Sequence, residues 1–337
     1  MHRRILAAAT ALVAFTALTS GGARAEPLRI RAGWINTPAS LIPVLFAKPG
    51  IAKHQGVSYV LEAIHFSSSP QQITGVATGE LEIATLGFST FSIAIQNAGL
   101  SDLKVIADET QDGVEGHYSI PYVVRKDSPI RTVEDLKGKV VATNGIGAGV
   151  DISMRAVLAK HGLQDKRDFT TVEVQFPNMR AMLAEHKADL VVATLPFTYD
   201  PEMERIAHPL FHQRDAFGGP AELSFWTARA GFLEKNRAAM VDLLEDTVRA
   251  VRWYIAPENR DEAIRYLSEF TKLPPERFQS WLFTAKDYYR DPDVRPNLAA
   301  LRQNIQVQRE LGFIKADIDP KKYADLSLLE EAVKRQK

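Results

Sequence analysis

The chain has 337 residues, no cysteine, and 41 basic side chains against 41 acidic ones, for a formal net charge of +0. The lack of cysteine removes disulfides, thiolate metal sites, thiol nucleophiles and the lipid-bearing Cys of a bacterial lipoprotein. With no charge excess and no basic block interleaved with aromatics, a nucleic-acid partner has no footprint either.

The chain opens on a segment that reads as an export signal. Arg3 and Arg4 precede an apolar run over 5–18 that is short for a permanent membrane anchor, and Ala23-Arg24-Ala25 offers the small-x-small cleavage pattern. A mature chain starting at Glu26 is expected, and the remaining length suits two lobes. From there, short apolar runs alternate with helical patterns, which predicts an α/β chain with mostly parallel strands. Strands are expected over 28–33, 58–64, 83–86 and 103–107, and helices over 41–53, 70–78 and 90–97.

A second α/β stretch starts at Ile120. It predicts strands over 120–124, 139–142, 172–175 and 189–193, with helices over 151–160 and 179–185. Phe217-Gly218-Gly219-Pro220 breaks the pattern and reads as a crossing strand or hinge. The remainder is expected to be mostly helical, over 234–255, 260–270, 275–282 and 297–311. Its amphipathic spacing, as in Met240, Leu243, Leu244, Val248 and Val251, marks packing faces.

Three polar turns between an apolar strand and a helix have the form in which free backbone N–H groups face an anion. Ser67-Ser68-Ser69-Pro70 is the first; it also reads as an ordinary helix cap. In the second, Gly87-Phe88-Ser89-Thr90, Gly87 allows close approach, Ser89 and Thr90 offer hydroxyls and Phe88 a flat apolar wall. The third runs from Thr143 and Asn144 through Gly145, Ile146, Gly147, Ala148 and Gly149 to Val150 and Asp151, and its glycines keep side chains away from a bound carboxylate, sulfonate or phosphate. A dinucleotide fingerprint would need a third glycine where Val150 stands, and a phosphate P-loop would need a following Lys-Ser or Lys-Thr. Trp34, Phe197, Tyr199 and Trp226 lie beside these turns and are candidates for stacking on an organic ligand, or for core. His208 and His212 make the one close-spaced histidine pair, interrupted by Pro209, and no Gly-x-Ser-x-Gly elbow is present. No catalytic residue, metal or cofactor is implied.

Ala32-Gly33-Trp34 followed by the segment 43–57, Gly75-Val76-Ala77-Thr78-Gly79-Glu80-Leu81-Glu82-Ile83-Ala84 leading into Leu86-Gly87, and Ser128-Pro129-Ile130 followed by Asp135-Leu136-Lys137-Gly138-Lys139 carry a likeness. Through them the chain resembles the solute-binding proteins of nitrate, sulfonate and taurine ABC importers. That resemblance implies a type II periplasmic-binding fold, with lobe one from 26–117 plus 220–337 and lobe two from 118–219. It also implies a ligand held between lobes by loops that here carry Trp34, Asn36 and Thr37, Gly87 to Thr90, Asn144 to Gly149, Phe197, and the surroundings of Trp226. A monomeric periplasmic receptor for a small organic anion, serving a membrane permease, is the implied function. The alternatives are a pyrimidine-binding or synthase-like relative, whose enzyme members carry a cysteine-rich motif absent here, and a ligand-sensing receptor subunit.

Overall fold

The computed structural model describes residues 26–336, so the expected export signal lies outside the described residues. The strands are β1 (Leu28–Trp34), β2 (Tyr59–His65), β3 (Ala84–Leu86), β4 (Leu103–Asp112), β5 (Pro121–Arg125), β6 (Lys139–Thr143), β7 (Phe169–Glu173), β8 (Leu190–Val192), β9 (Ala207–His212) and β10 (Ala221–Arg229). Three helices matter for the cleft: α1 (Ser69–Thr78), α2 (Phe88–Asn97) and α3 (Gly149–Lys160).

Two sheets form, and they share one plan. In the first, β1 pairs parallel with β2, and β10 runs antiparallel between β3 and β4. The Gly33 N–H bonds the Ile83 carbonyl at 2.9 Å, joining β1 to the start of β3, so the order is β2-β1-β3-β10-β4. The second sheet has the order β7-β6-β8-β5-β9, with β5 antiparallel to both of its neighbours. In each sheet the antiparallel strand is the one that follows a crossing from the other sheet. The chain is thus two α/β lobes of the type II periplasmic-binding kind.

Helices cover the sheets because strands this apolar need both faces buried: Ile30, Ala32, Ile83, Val141, Leu190 and Val191 have no exposed surface. The long helix Arg237–Ile255 buries Met240, Leu243, Leu244, Val248 and Val251. Among the described residues, no helix is long and apolar enough to cross a membrane.

Several predicted elements need correction. The helix over 41–53 is only a 3-10 turn at Ile42–Val44; Pro43 is tolerated in its first turn, but Pro49-Gly50 starts a turn with Gly50 at φ +77° and rules out a helix through 53. Strand 103–107 continues to Asp112 although 108–112 is polar, because Asp108, Glu109, Gln111 and Asp112 find hydrogen-bond partners on β10, the crossing segments and the C-terminal region. The stretch after Pro220 opens on the long strand β10 before the helices begin. β9 has no counterpart among the predicted strands.

The crossings are tied together by one buried carboxyl. Asp112 accepts the Ser119 hydroxyl at 2.8 Å and the Ile120 N–H at 2.7 Å, while Ser119 Oγ accepts the Arg214 N–H of the returning segment at 3.0 Å. Burial pushes Asp112 up to about 7, against the pull of those hydrogen bonds.

Candidate functional site

Loops at the C-terminal ends of parallel strands are where open α/β sheets leave a crevice. Here such loops from both lobes enclose a cavity of about 620 Å³, its open mouth included. Lobe one contributes Ile35, Asn36, Ala39 and Ser40 after β1, Ser69, then Thr85 to Gly87, and Leu223 and Ser224 of β10. Facing them are Ile120, Asn144, Ala148 to Val150, Phe176 and Thr194, with Tyr288 closing one side.

Three helices begin at this cavity. α1 starts at Ser69 and α3 at Gly149, both lining residues, and α2 starts directly after the lining residue Gly87. None of the three has an N-cap side chain bonded to its first turn. The Gly87 N–H ahead of α2 is taken by Thr90 Oγ1 at 3.2 Å, so α2 offers mainly its dipole end, while α1 and α3 leave first-turn N–H groups for an anion. Among the described residues, no lysine or arginine lines the cavity.

The glycine turn works differently from the anion cradle expected of it. The Ile146 N–H is taken by Glu173 at 2.6 Å, the Gly147 N–H by Asp151 at 2.9 Å, and the Ala148 N–H by the Gly145 carbonyl at 3.0 Å. Asp151 is buried, which pushes its carboxyl up, while an ion pair with Arg155 at 2.9 Å draws it back. Asp151 and Glu173 thus hold the turn in shape, and only Gly149 and Val150 bring free helix N–H groups to the cavity. Sequence alone could not reveal that carboxylates from α3 and β7 would fold back onto the turn.

The predicted site residues divide into three groups. Asn36, Gly87, Asn144, Ala148 and Gly149 line the cavity. Trp34, Thr37, Ser67 and Phe197 line an adjoining recess of about 990 Å³, which shares Ile35, Asn36 and Phe176 with the cavity. There Trp34 packs against His65 with ring centroids 4.6 Å apart and edge-on to Phe270 at 5.7 Å. Phe88, Ser89, Gly145, Gly147 and Trp226 lie outside both linings. Phe88 is fully buried and meets Phe217 edge-on at 5.1 Å, so it is core and no cleft wall. Trp226 is likewise buried, behind the cavity, among Leu41, Leu45 and Val251. Ser89, Gly147 and Gly145 serve contact between lobes: Ser89 Oγ donates to the Gly147 carbonyl at 2.8 Å, and Gly145 lies against Ser68. Asn36 adds a bond from its amide to the Leu195 carbonyl at 2.6 Å, and the Asn144 amide one to the Ser67 carbonyl at 3.3 Å.

Sequence reasoning missed Ser40, Ser224 and the buried Glu109 behind them. The available signal was the polar run Asp108-Glu109-Thr110-Gln111-Asp112 continuing an apolar strand. Missed as well were His54, Asp242 and Glu245, which come together at metal-ligand spacing. None of the three lines the cavity, and Arg335 and Arg249 already pair with those carboxylates.

Residues 23–268 match the model of the NMT1-like family. The chain belongs to that family. No curated protein matches the sequence. Among solved structures, this NMT1-like chain is similar to the alkanesulfonate-binding protein SsuA from Xanthomonas axonopodis pv. citri, bound to MOPS, with 19% identity and a TM-score of 0.70 over 90% of this chain and 99% of that one. It is also similar to the periplasmic nitrate-binding protein NrtA from Synechocystis PCC 6803, at 17% identity and a TM-score of 0.69 over 92% and 89%. A desulfurization enzyme, DSZB, shares the fold as well, at 16% identity and 0.63 over 92% and 100%. At these identities the likeness establishes the fold, which this NMT1-like chain shares with binding proteins and with an enzyme.

Proposed function

We propose that this chain is the periplasmic solute-binding component of an ABC importer, holding a small organic anion, a sulfonate or carboxylate, between its lobes and delivering it to a membrane permease. The observation that carries the reading is the meeting of three helix N-termini, none bonded to its own N-cap side chain, at one cavity between lobes. Such termini favour negative charge without a cation, and apolar neighbours such as Ile35, Leu86, Ile120 and Leu223 strengthen the attraction by excluding water. The resemblance to SsuA bound to MOPS and to nitrate-binding NrtA points the same way. An enzyme reading drawn from the likeness to DSZB lacks a thiol nucleophile at the cavity: the chain has no cysteine.

The receptor works by population shift. One lobe binds the anion, contacts from the other favour the closed arrangement, and the permease reads closure. The chain acts as a monomer in the periplasm. Native mass spectrometry of the purified protein, followed by a thermal-shift screen of sulfonates, carboxylates, nitrate and pyrimidines, tests this. An anion at a hundred times its Kd should add about 2.7 kcal/mol to native stability. Stabilisation by a neutral pyrimidine alone would replace the anion reading with the pyrimidine one.

A further inference from the structure

Behind the helix N-termini, the other wall of the cavity has the opposite hydrogen-bonding character. Glu109, on β4, is buried and uses both carboxyl oxygens on cavity-lining hydroxyls: one accepts from Ser40 Oγ at 2.5 Å and the other from Ser224 Oγ at 2.7 Å. A hydroxyl has one proton. With that proton committed to the carboxylate, Ser224 and Ser40, whose oxygen also accepts a long bond from the Ile42 N–H at 3.4 Å, have only lone pairs left for a ligand. Asn144, from the other lobe, presents a third acceptor: its amide nitrogen is spent on the Ser67 carbonyl, and its Oδ1 is buried without a partner. Arg290 acts on Glu109 only through its charge, because its guanidinium is hydrogen-bonded to Asp287 at 3.0 Å and to the Pro38 carbonyl.

We propose that Glu109, acting through Ser40 and Ser224, is a specificity-determining residue that makes the cavity select a ligand bearing a protonated amine or similar N–H donor as well as its anionic group. An ammonium carries three donors and no acceptor, which is what this set of lone pairs requires, and its charge offsets that of the buried carboxylate. Once the lobes close on it, an anion lacking such a group leaves Ser224 and Asn144 without donors and Ser40 with only the long Ile42 bond, and buried acceptors left unpaired are costly. Burial pushes Glu109 up, and the two hydroxyls draw it down with smaller help from the Arg290 charge. A ligand ammonium adds to the downward pull. The inference rests on the anion reading above and sharpens it.

The test compares 3-aminopropane-1-sulfonate with propane-1-sulfonate by isothermal titration calorimetry on the wild type and on Glu109→Gln, each checked for folding by thermal melting. The wild type should bind the amino compound at least about tenfold more tightly, the worth of a charge-assisted hydrogen bond. In Glu109→Gln the charge is gone and the new amide donates to one serine, freeing that hydroxyl's proton for the cavity. The amino compound should therefore weaken by about tenfold or more while propane-1-sulfonate holds or tightens, a crossing that mere damage to the fold would not produce. Ser224→Ala, which leaves the buried carboxyl in place, should weaken the amino compound alone. Equal wild-type affinity for both sulfonates, or a preference that survives Glu109→Gln, overturns the role of Glu109 and leaves the anion reading standing. If neither sulfonate binds and no other anion stabilises the protein, the anion reading falls and this inference with it.

Discussion

A methyl group at Gly145 should block closure of the lobes while sparing the fold of each. A Cβ built there would lie 2.8 Å from Ser68 Cβ and 2.9 Å from its Oγ, and Ser68 belongs to the opposite lobe. Carbon atoms pack at about 3.5–4.0 Å, so the lobes must part by roughly 0.7 Å or more at this point. Gly145 is outside the left-handed backbone region, so alanine brings no strain of its own. Overpacking of this kind costs about 1–3 kcal/mol. The open form does not bear that cost, so it should appear as a loss of ligand affinity of about 5- to 150-fold with little change in the melting temperature of the free protein. The assay is calorimetric titration of Gly145→Ala, Ser68→Gly and the double variant with the anion that stabilises the wild type most. Ser68→Gly removes both clashing atoms, and the Ser68 side chain caps nothing, so the double variant should regain most of the affinity. Undiminished affinity in Gly145→Ala, or an equal loss in the double variant, would refute closure through this contact.

Two further outcomes follow from the same structure. Phe88→Ala should destabilise the free protein by about 3–5 kcal/mol in urea unfolding, as loss of a fully buried ring does, where a cleft-wall residue would chiefly cost affinity. Stability should also fall as pH rises from 5 to 7. Burial raises Asp112 and Asp108 to about 7 in the folded protein, so the native state keeps protons that the unfolded chain releases, at about 1.4 kcal/mol per pH unit for each proton. The part carried by Asp112 should level off above pH 7. His212, lowered by burial, works in the opposite sense below its ordinary value but is a single group. The Asp108 and Glu222 carboxyls lie against each other, and Glu222 is held well above its ordinary value by burial, so Glu222→Gln, which carries a permanent donor in place of a retained proton, should flatten the profile; a urea midpoint that is flat or rising from pH 5 to 7 in the wild type would contradict the assignment.

The α/β alternation was legible because strand and helix periods are local: β1, β2, α1, α2, β6 and α3 stand within a few residues of their predicted places. The element over 41–53 went astray through reading apolar spacing past Pro49-Gly50. β4 was cut short because a polar run normally ends a strand, and the partners that let Asp108, Glu109 and Asp112 stay inside come from β10, the crossing segments and the C-terminal region.

The sequence by itself determined which turns offer helix N-termini, since capping and glycine placement depend on neighbours a few residues away. It also determined that no thiol chemistry is available. Tertiary structure decided which groups those turns leave free. The N–H groups at Ile146 and Gly147 are claimed by Glu173 and Asp151, while those at Gly149 and Val150 reach the cavity. It also decided that Glu109 stands behind Ser40 and Ser224, residues 69 and 115 positions away along the chain. A hydrogen bond across such a separation depends on how sheets and crossings assemble, and no local pattern records it.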